Sequence, residues 1–214
     1  MALIVGNTIA QSGPIAGNGF KHEVGINLLN ISDLRRPIGR SDEMVADVHL
    51  LTGLVYKYHF ERITVRTTFE LYQTEIREEL NSGSAYFKDD GKRTRYEFSL
   101  GLEKRLTSTK FQPFLGLSVV YAQGKLTGKQ TTGGDFIPGL IVRTYTYNCL
   151  ETGISSVAGL SWQIGSHFSI SLEANAILGY YRQKNALEPG GANYDDRTAF
   201  TFNPIRAIYA GYCF

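Results

Sequence analysis

The chain has 214 residues, 43% of them apolar and 20% charged, with 13 Tyr and 12 Phe; that suits one folded domain and is too apolar and aromatic for a disordered one. No run of about eighteen residues is continuously apolar, which excludes a transmembrane helix. The net charge of +2 comes from 22 basic and 20 acidic side chains scattered along the chain, with no basic block to follow a phosphate backbone, so nucleic acid is not an expected partner.

The opening MALIVGNTIAQS is similar to the tail of a secretory signal, with Thr8 and Ala10 at the small positions before Gln11. Residues 1–19 are therefore set apart as an N-terminal segment, the remnant of such a signal, and residues 20–214 as the folded domain. From residue 20 onward the dominant pattern has period two, the mark of strands with two unlike faces. It recurs in eight blocks: 20–30, 45–60, 63–74, 94–106, 111–124, 149–165, 167–181 and 199–214. Little room remains for a long helix.

Connections between the blocks alternate in length. Glu61 and Arg62, Thr107 to Lys110, and Gly165 to His167 make tight hairpins. The other four, around 31–43, 75–93, 125–148 and 182–198, are long and rich in Gly, Asp, Asn, Lys and Arg. In an up-and-down meander every second connection lies at the same end, so one end is trimmed and the other carries large polar loops.

Parity sorts the faces. Ile63, Val65, Phe69 and Leu71, then Tyr96, Phe98, Leu100 and Leu102, then Leu115, Leu117 and Val119, then Phe168, Ile170, Leu172 and Leu178 share one apolar face. Opposite them lie Glu23, Asp47, His49, Lys57, Arg66, Glu70, Arg95, Glu97, Glu103, Glu151 and Glu173, interleaved with Gly and Ser. Two barrels fit this alternation: a soluble lipocalin-like barrel with the apolar face inside, and an outer-membrane barrel with that face on lipid. Mid-strand Gly and Ser weaken a solvent-facing surface without improving solubility. In a narrow lumen they give room for large neighbours, and folding about the short turns sets Glu151 near Gly179 and Glu97 near Gly116. Aromatic residues also gather toward the block ends: Tyr56, Tyr58, Phe60, Phe111, Trp162, Phe168, Tyr212 and Phe214 at the trimmed end, Tyr121, Tyr145, Tyr147, Tyr180, Phe200 and Phe202 toward the long connections. Two such bands resemble interfacial girdles.

The last block runs Ala207, Ile208, Tyr209, Ala210, Gly211, Tyr212, Cys213, Phe214. It resembles the assembly signal of bacterial outer-membrane barrels, with Tyr212 and Phe214 as its aromatic pair. Together with the eight blocks, residues 20–214 resemble the small OmpA/OmpX-like barrels and the related outer-membrane β-barrel domain family that includes PorT-like proteins. The resemblance implies an all-β, eight-stranded antiparallel up-and-down transmembrane barrel in the bacterial outer membrane, with both termini in the periplasm. It implies contact with outer-membrane lipid and lipopolysaccharide, and with the barrel-assembly machinery during insertion. Pro204 and Arg206 depart from the pattern, because they share the parity of lipid-facing Phe202 and Ile208. A lipid-facing Arg costs about 2–4 kcal/mol at mid-membrane, so a bulge at Asn203-Pro204 is expected to turn Arg206 inward. His22 also falls on the apolar parity, near the trimmed end.

Eight strands leave a lumen that side chains fill. Glu23, Asp47, Glu70, Glu97, Glu103, Glu151 and Glu173 are matched there by cations including Lys21, Lys57, Arg62, Arg66, Arg93 and Arg95. Confined charges pair because an isolated one is expensive, so Glu23, Asp47, Arg66, Glu70, Arg95, Glu97, Glu103, Glu151 and Glu173 are expected to form a structural ion-pair network. A lipid-modifying enzyme needs His, Ser and a carboxylate gathered at the lipid or the rim. Of His22, His49, His59 and His167, only His49 lies on the lumen parity away from the trimmed end, near Tyr72, and no triad assembles. No catalytic, cofactor-binding or metal-ligating set is expected. Cys149 and Cys213 start and finish strands at opposite ends, beyond disulfide reach, and are expected as free thiols. Function then falls to the long connections. The segment 125–148 carries Phe136, Ile137, Leu140, Ile141 and Val142, read either as a contact with a protein partner or a lid across the barrel mouth, or as a β-ribbon extension of the strands with local packing. The expectation is a non-enzymatic barrel serving envelope structure, adhesion or a membrane assembly such as secretion machinery. The alternatives are an outer-membrane lipid-modifying enzyme and the soluble barrel.

Overall fold

The computed structural model describes residues 21–34, 45–60, 63–82, 85–134, 137–188 and 192–214; the N-terminal segment 1–19 lies outside them. Eight strands follow one another: β1 (His22–Leu34), β2 (Val45–Phe60), β3 (Ile63–Asn81), β4 (Ala85–Arg105), β5 (Phe111–Gly134), β6 (Ile137–Ile164), β7 (Phe168–Glu188) and β8 (Ala192–Cys213). Each pairs antiparallel with its neighbour in sequence, and β8 pairs with β1 to close the ring. The blocks read from alternation coincide with the lower parts of these strands, and β2 matches its block residue for residue.

The trimmed end is held by backbone hydrogen bonds between turn and strand, such as Leu106 N to Pro113 O at 2.9 Å. At the β6–β7 turn Gly165 takes a positive φ of 67°, where a side chain would be strained. At the other end the strands overrun the predicted blocks. β4 and β5 stay in register up to Ala85↔Gly134, and β5 and β6 up to Gly134↔Ile137 past one irregularity. Segments 75–93 and 125–148 are thus largely β-ribbon. Their Thr, Lys, Gln and Tyr pair across strands but carry no apolar face, so alternation alone does not reveal them.

Side-chain direction follows the predicted parity. Leu100, Leu102, Leu115, Leu117, Val119, Ile154, Leu172 and Leu178 are exposed on the outside of the ring, and Glu70, Glu97, Glu103, Glu151 and Glu173 are buried within it. Large interior groups lie against small ones: the ring of Phe114 covers Gly159, and Glu103 Cγ sits 3.2 Å from the position a side chain at Gly116 would occupy. The expected neighbour Glu97 instead pairs with Ala122, well up the ladder from the Glu103↔Gly116 pair. The turn lies where the sequence placed it, and symmetric folding about Thr107–Lys110 already sets Glu97 near Val120 rather than Gly116; the ladder runs two residues further, to Ala122. Glu151 does reach Gly179, its Oε1 lying 3.5 Å from a Cβ there. Tyr145 and Tyr147 do not join the outer girdle, because they share the inward parity of Cys149 and Glu151; Tyr145 is buried.

Register breaks concentrate on one side of the ring. In β8, Asn203 pairs with Asn175 and Ala207 with Glu173, so three β8 residues face one residue of β7. Pro204 and Ile205 both point outward there and Arg206 turns inward, the bulge expected from sequence. A second break lies in β1 between Asn27 and Leu29 against both neighbours, opposite Leu51 at a φ of 53°. It brings Asn27 and Asn30, three residues apart, to the same interior face, both fully buried.

Candidate functional site

The interior of the ring holds the charged side chains in two linked groups. In the lower group Lys57 Nζ contacts Glu103 at 3.2 Å, and Arg66 contacts Glu103 at 2.8 Å and Glu173 through both terminal nitrogens at 2.7 Å. Strands β2, β3, β4 and β7 supply these residues, so the cluster crosses the lumen. The Lys57 ammonium also lies over the Phe114 ring, and the Arg66 guanidinium over Tyr209, 5.1 and 5.0 Å from the ring centres, where each cation meets the negative face of the ring.

The upper group centres on Arg206. Its Nη2 donates to Glu70 at 2.8 Å and Glu97 at 2.9 Å, and its Nη1 donates to the Asn30 side chain. Glu70 also accepts from Asn27 at 3.1 Å, Asn30 at 2.5 Å and Tyr209 at 3.2 Å. Glu97 continues to Arg95 at 3.0 Å, and Arg95 to Glu151 at 2.5 Å. Tyr209 joins the groups, with its hydroxyl on Glu70 and its ring under Arg66. A carboxylate accepting four donors and a guanidinium shared by two carboxylates satisfy the requirement that buried charge be paired and hydrogen-bonded.

Glu23 stands apart near the trimmed end, accepting from Ser169 at 2.6 Å and contacting His59 at 3.0 Å. Asp47 belongs to β2, but its side chain lies outside the described residues, as does all of Arg62. Lys21 is exposed. The residues that parity reading passed over are Asn27, Asn30 and Tyr209. Asn27 and Tyr209 carried no charge to draw notice, and Asn30 falls on the wrong parity until the β1 break is known.

His49 stacks on Tyr72 with ring centres 4.7 Å apart, which makes it a packed lumen residue. His22 stacks on Phe214 at 5.6 Å and His167 on Tyr212 at 5.4 Å, around the trimmed rim. Cys149 and Cys213 are free thiols. Among the described residues no group of three His, Cys, Asp or Glu is arranged to hold a metal ion. Above the ring, Tyr145 lies across Gly91 and Gly128 and donates to Asp89 at 2.6 Å. Burial and then the Asp89 carboxylate push its hydroxyl pKa up. Leu140 and Ile141 are exposed on the β6 ribbon; Ile137 is in β6 with its side chain outside the described residues, and Phe136 lies outside them altogether.

A closed antiparallel ring with an aliphatic exterior and a charge-filled interior defines a transmembrane β-barrel, because the exterior offers apolar surface to acyl chains and each strand is hydrogen-bonded to a neighbour on both sides, leaving no open edge. The soluble alternative required the reverse placement. No protein-family model matches the chain, and no curated protein matches it significantly. Among solved structures it is similar to a major outer membrane protein of Thermus thermophilus, at 11% identity and a TM-score of 0.47, covering 90% of this chain and 97% of that one. It is also similar to Ail, the attachment invasion locus protein of Yersinia pestis, at 16% identity and a TM-score of 0.37, covering 90% and 96%. Both likenesses are of strand architecture, and the barrel assignment rests on this chain's own register and faces.

Proposed function

We propose that this protein is a small non-enzymatic barrel of the bacterial outer membrane, of the OmpA/OmpX-like or PorT-like kind, with a sealed lumen and ribbons projecting from the cell. The observation that carries this reading is the pairing of an outward aliphatic belt with a lumen crossed by the Arg66 and Arg206 ion-pair groups. Among the described residues these groups leave no open aqueous channel, and no catalytic set is assembled. Its work is then mechanical or recognitive: envelope structure, adhesion, or membership of a membrane assembly such as secretion machinery. Both termini face the periplasm in this reading, since the short turns lie at their end. Tyr212 and Phe214, exposed on β8 and just beyond it, are the residues offered to the barrel-assembly machinery. Lipopolysaccharide surrounds the outer half of the belt, and the exposed Leu140 and Ile141 on the ribbon offer a protein contact.

The test is migration of the full chain in electrophoresis before and after boiling, following refolding into detergent, with fractionation of expressing cells. A compact band that shifts on heating and cofractionates with outer membrane supports the reading. A protein that stays soluble without detergent overturns it.

A further inference from the structure

Above the Arg206 group the lumen opens into a well of about 110 Å³. One register row of the sheet, Tyr72, Arg95, Gly124, Cys149 and Gln183, crosses five strands, and all five line it, with Arg93 above and Arg197 opposite. Two polar groups in its wall are without partners. The Tyr72 hydroxyl is buried and makes no hydrogen bond, and neither does Arg95 Nε. The two carboxylates in the wall, Glu97 and Glu151, are already taken by Arg95 and Arg206. Arg93 and Arg197 add positive charge beside Cys149. Leu126 and Ile177 supply an apolar patch.

A buried donor without an acceptor calls for one, and guanidinium groups match a carboxylate with two parallel bonds. A single water needs only about 10–15 Å³ of such volume, so this well, which is also open toward the long hairpins, has room for the carboxylate end of a compact organic acid whose remainder projects through the mouth. We propose that the well is a binding site for a small organic carboxylate, held by Arg197, with its oxygens within the reach of Tyr72 and its hydrocarbon part against Leu126 and Ile177. The site leaves the Arg66 group untouched and is independent of how the barrel is used by the cell.

Gly124 provides the cleanest variant. A Cβ there lies 3.9 Å from Cys149 Cβ and from Thr94 O, ordinary contact distances, so Gly124→Val fills the well without crowding the backbone. The experiment measures alkylation of Cys149 in the full-length barrel, in a maltoside detergent and a Cys213→Ser background, with benzoate or neutral benzamide added, and calorimetric titration of benzoate in parallel. Benzoate is expected to slow alkylation and benzamide not to. Arg197→Gln is expected to weaken benzoate binding at least tenfold, and Gly124→Val to abolish it, with heat-modifiable migration retained in both. Equal protection by benzamide, or unchanged benzoate affinity in a folded Arg197→Gln barrel, overturns the proposal. Arg197 is exposed at the mouth, so this second variant decides the matter even where Gly124→Val fails to fold.

Discussion

Arg206 is the side chain on which most of the upper lumen depends. It is 6% exposed and bound to Glu70, Glu97 and Asn30, so truncation leaves buried Glu70 with no cation and Glu97 with Arg95 alone. Removing one member of such a set costs about 3–5 kcal/mol. Arg206→Met should lower unfolding stability in urea by that amount, and adding Glu70→Gln should recover part of it. A loss below about 1 kcal/mol would show that water, rather than Arg206, compensates these acids. Tyr145 makes a different kind of contact, outside the belt. Because burial and Asp89 raise its pKa above the ordinary 10.0, the protonated donor is favoured in the fold. Its contribution is therefore complete below pH 10 and lost only as pH climbs through the raised value. Spectroscopic titration of Tyr145→Phe against the parent should remove one tyrosinate that ionises later than the exposed tyrosines.

Among the elements, β8 does something that simple alternation forbids. Ile205 faces out at 46% exposure beside buried Arg206, because the bulge opposite Ala174 absorbs extra residues. Exchanging the two side chains, Ile205→Arg with Arg206→Ile, keeps composition and reverses the environments. It should cost the lipid-facing charge, about 2–4 kcal/mol at mid-membrane, in addition to the lost lumen pairs. A swap that refolds with parental stability would mean the bulge slides freely. The β1 break has the same effect from the other side of the seam. Together they aim Asn30 and Arg206 at Glu70, which a regular ladder would leave with Asn27 and Tyr209 alone.

For the molecule as a whole, the height of the closed ring matters. β2 and β3 stay paired from Phe60↔Ile63 to Gly53↔Glu70, eight rungs spanning about 24 Å along the strand. That is close to the apolar band of about 25 Å typical of outer-membrane barrels before tilt is considered. The ladders of β3 through β8 continue well past that level, so the projecting crown is one-sided. With both ion-pair groups in place, planar-bilayer recording of the refolded barrel should show no steady porin-sized current. Arg66→Ala, which uncouples Glu103 from Glu173, should raise leak events without creating a large pore. A steady large conductance in the parent would contradict the sealed lumen.

Alternation is a local property. Each Leu, Phe or Glu declares its face relative to residues two away, so the number of strands, the trimmed and extended ends, and the lipid and lumen faces were legible from the amino acids alone. Depth and partnership are not local. Whether Asn30 faces acyl chains or Glu70, whether Glu97 or Glu103 meets Gly116, and how far the hairpins stay paired all depend on register shifts that cross-strand hydrogen bonding settles only when the ring closes. The tertiary structure alone therefore decided which charges meet, and it left a donor-lined well above them.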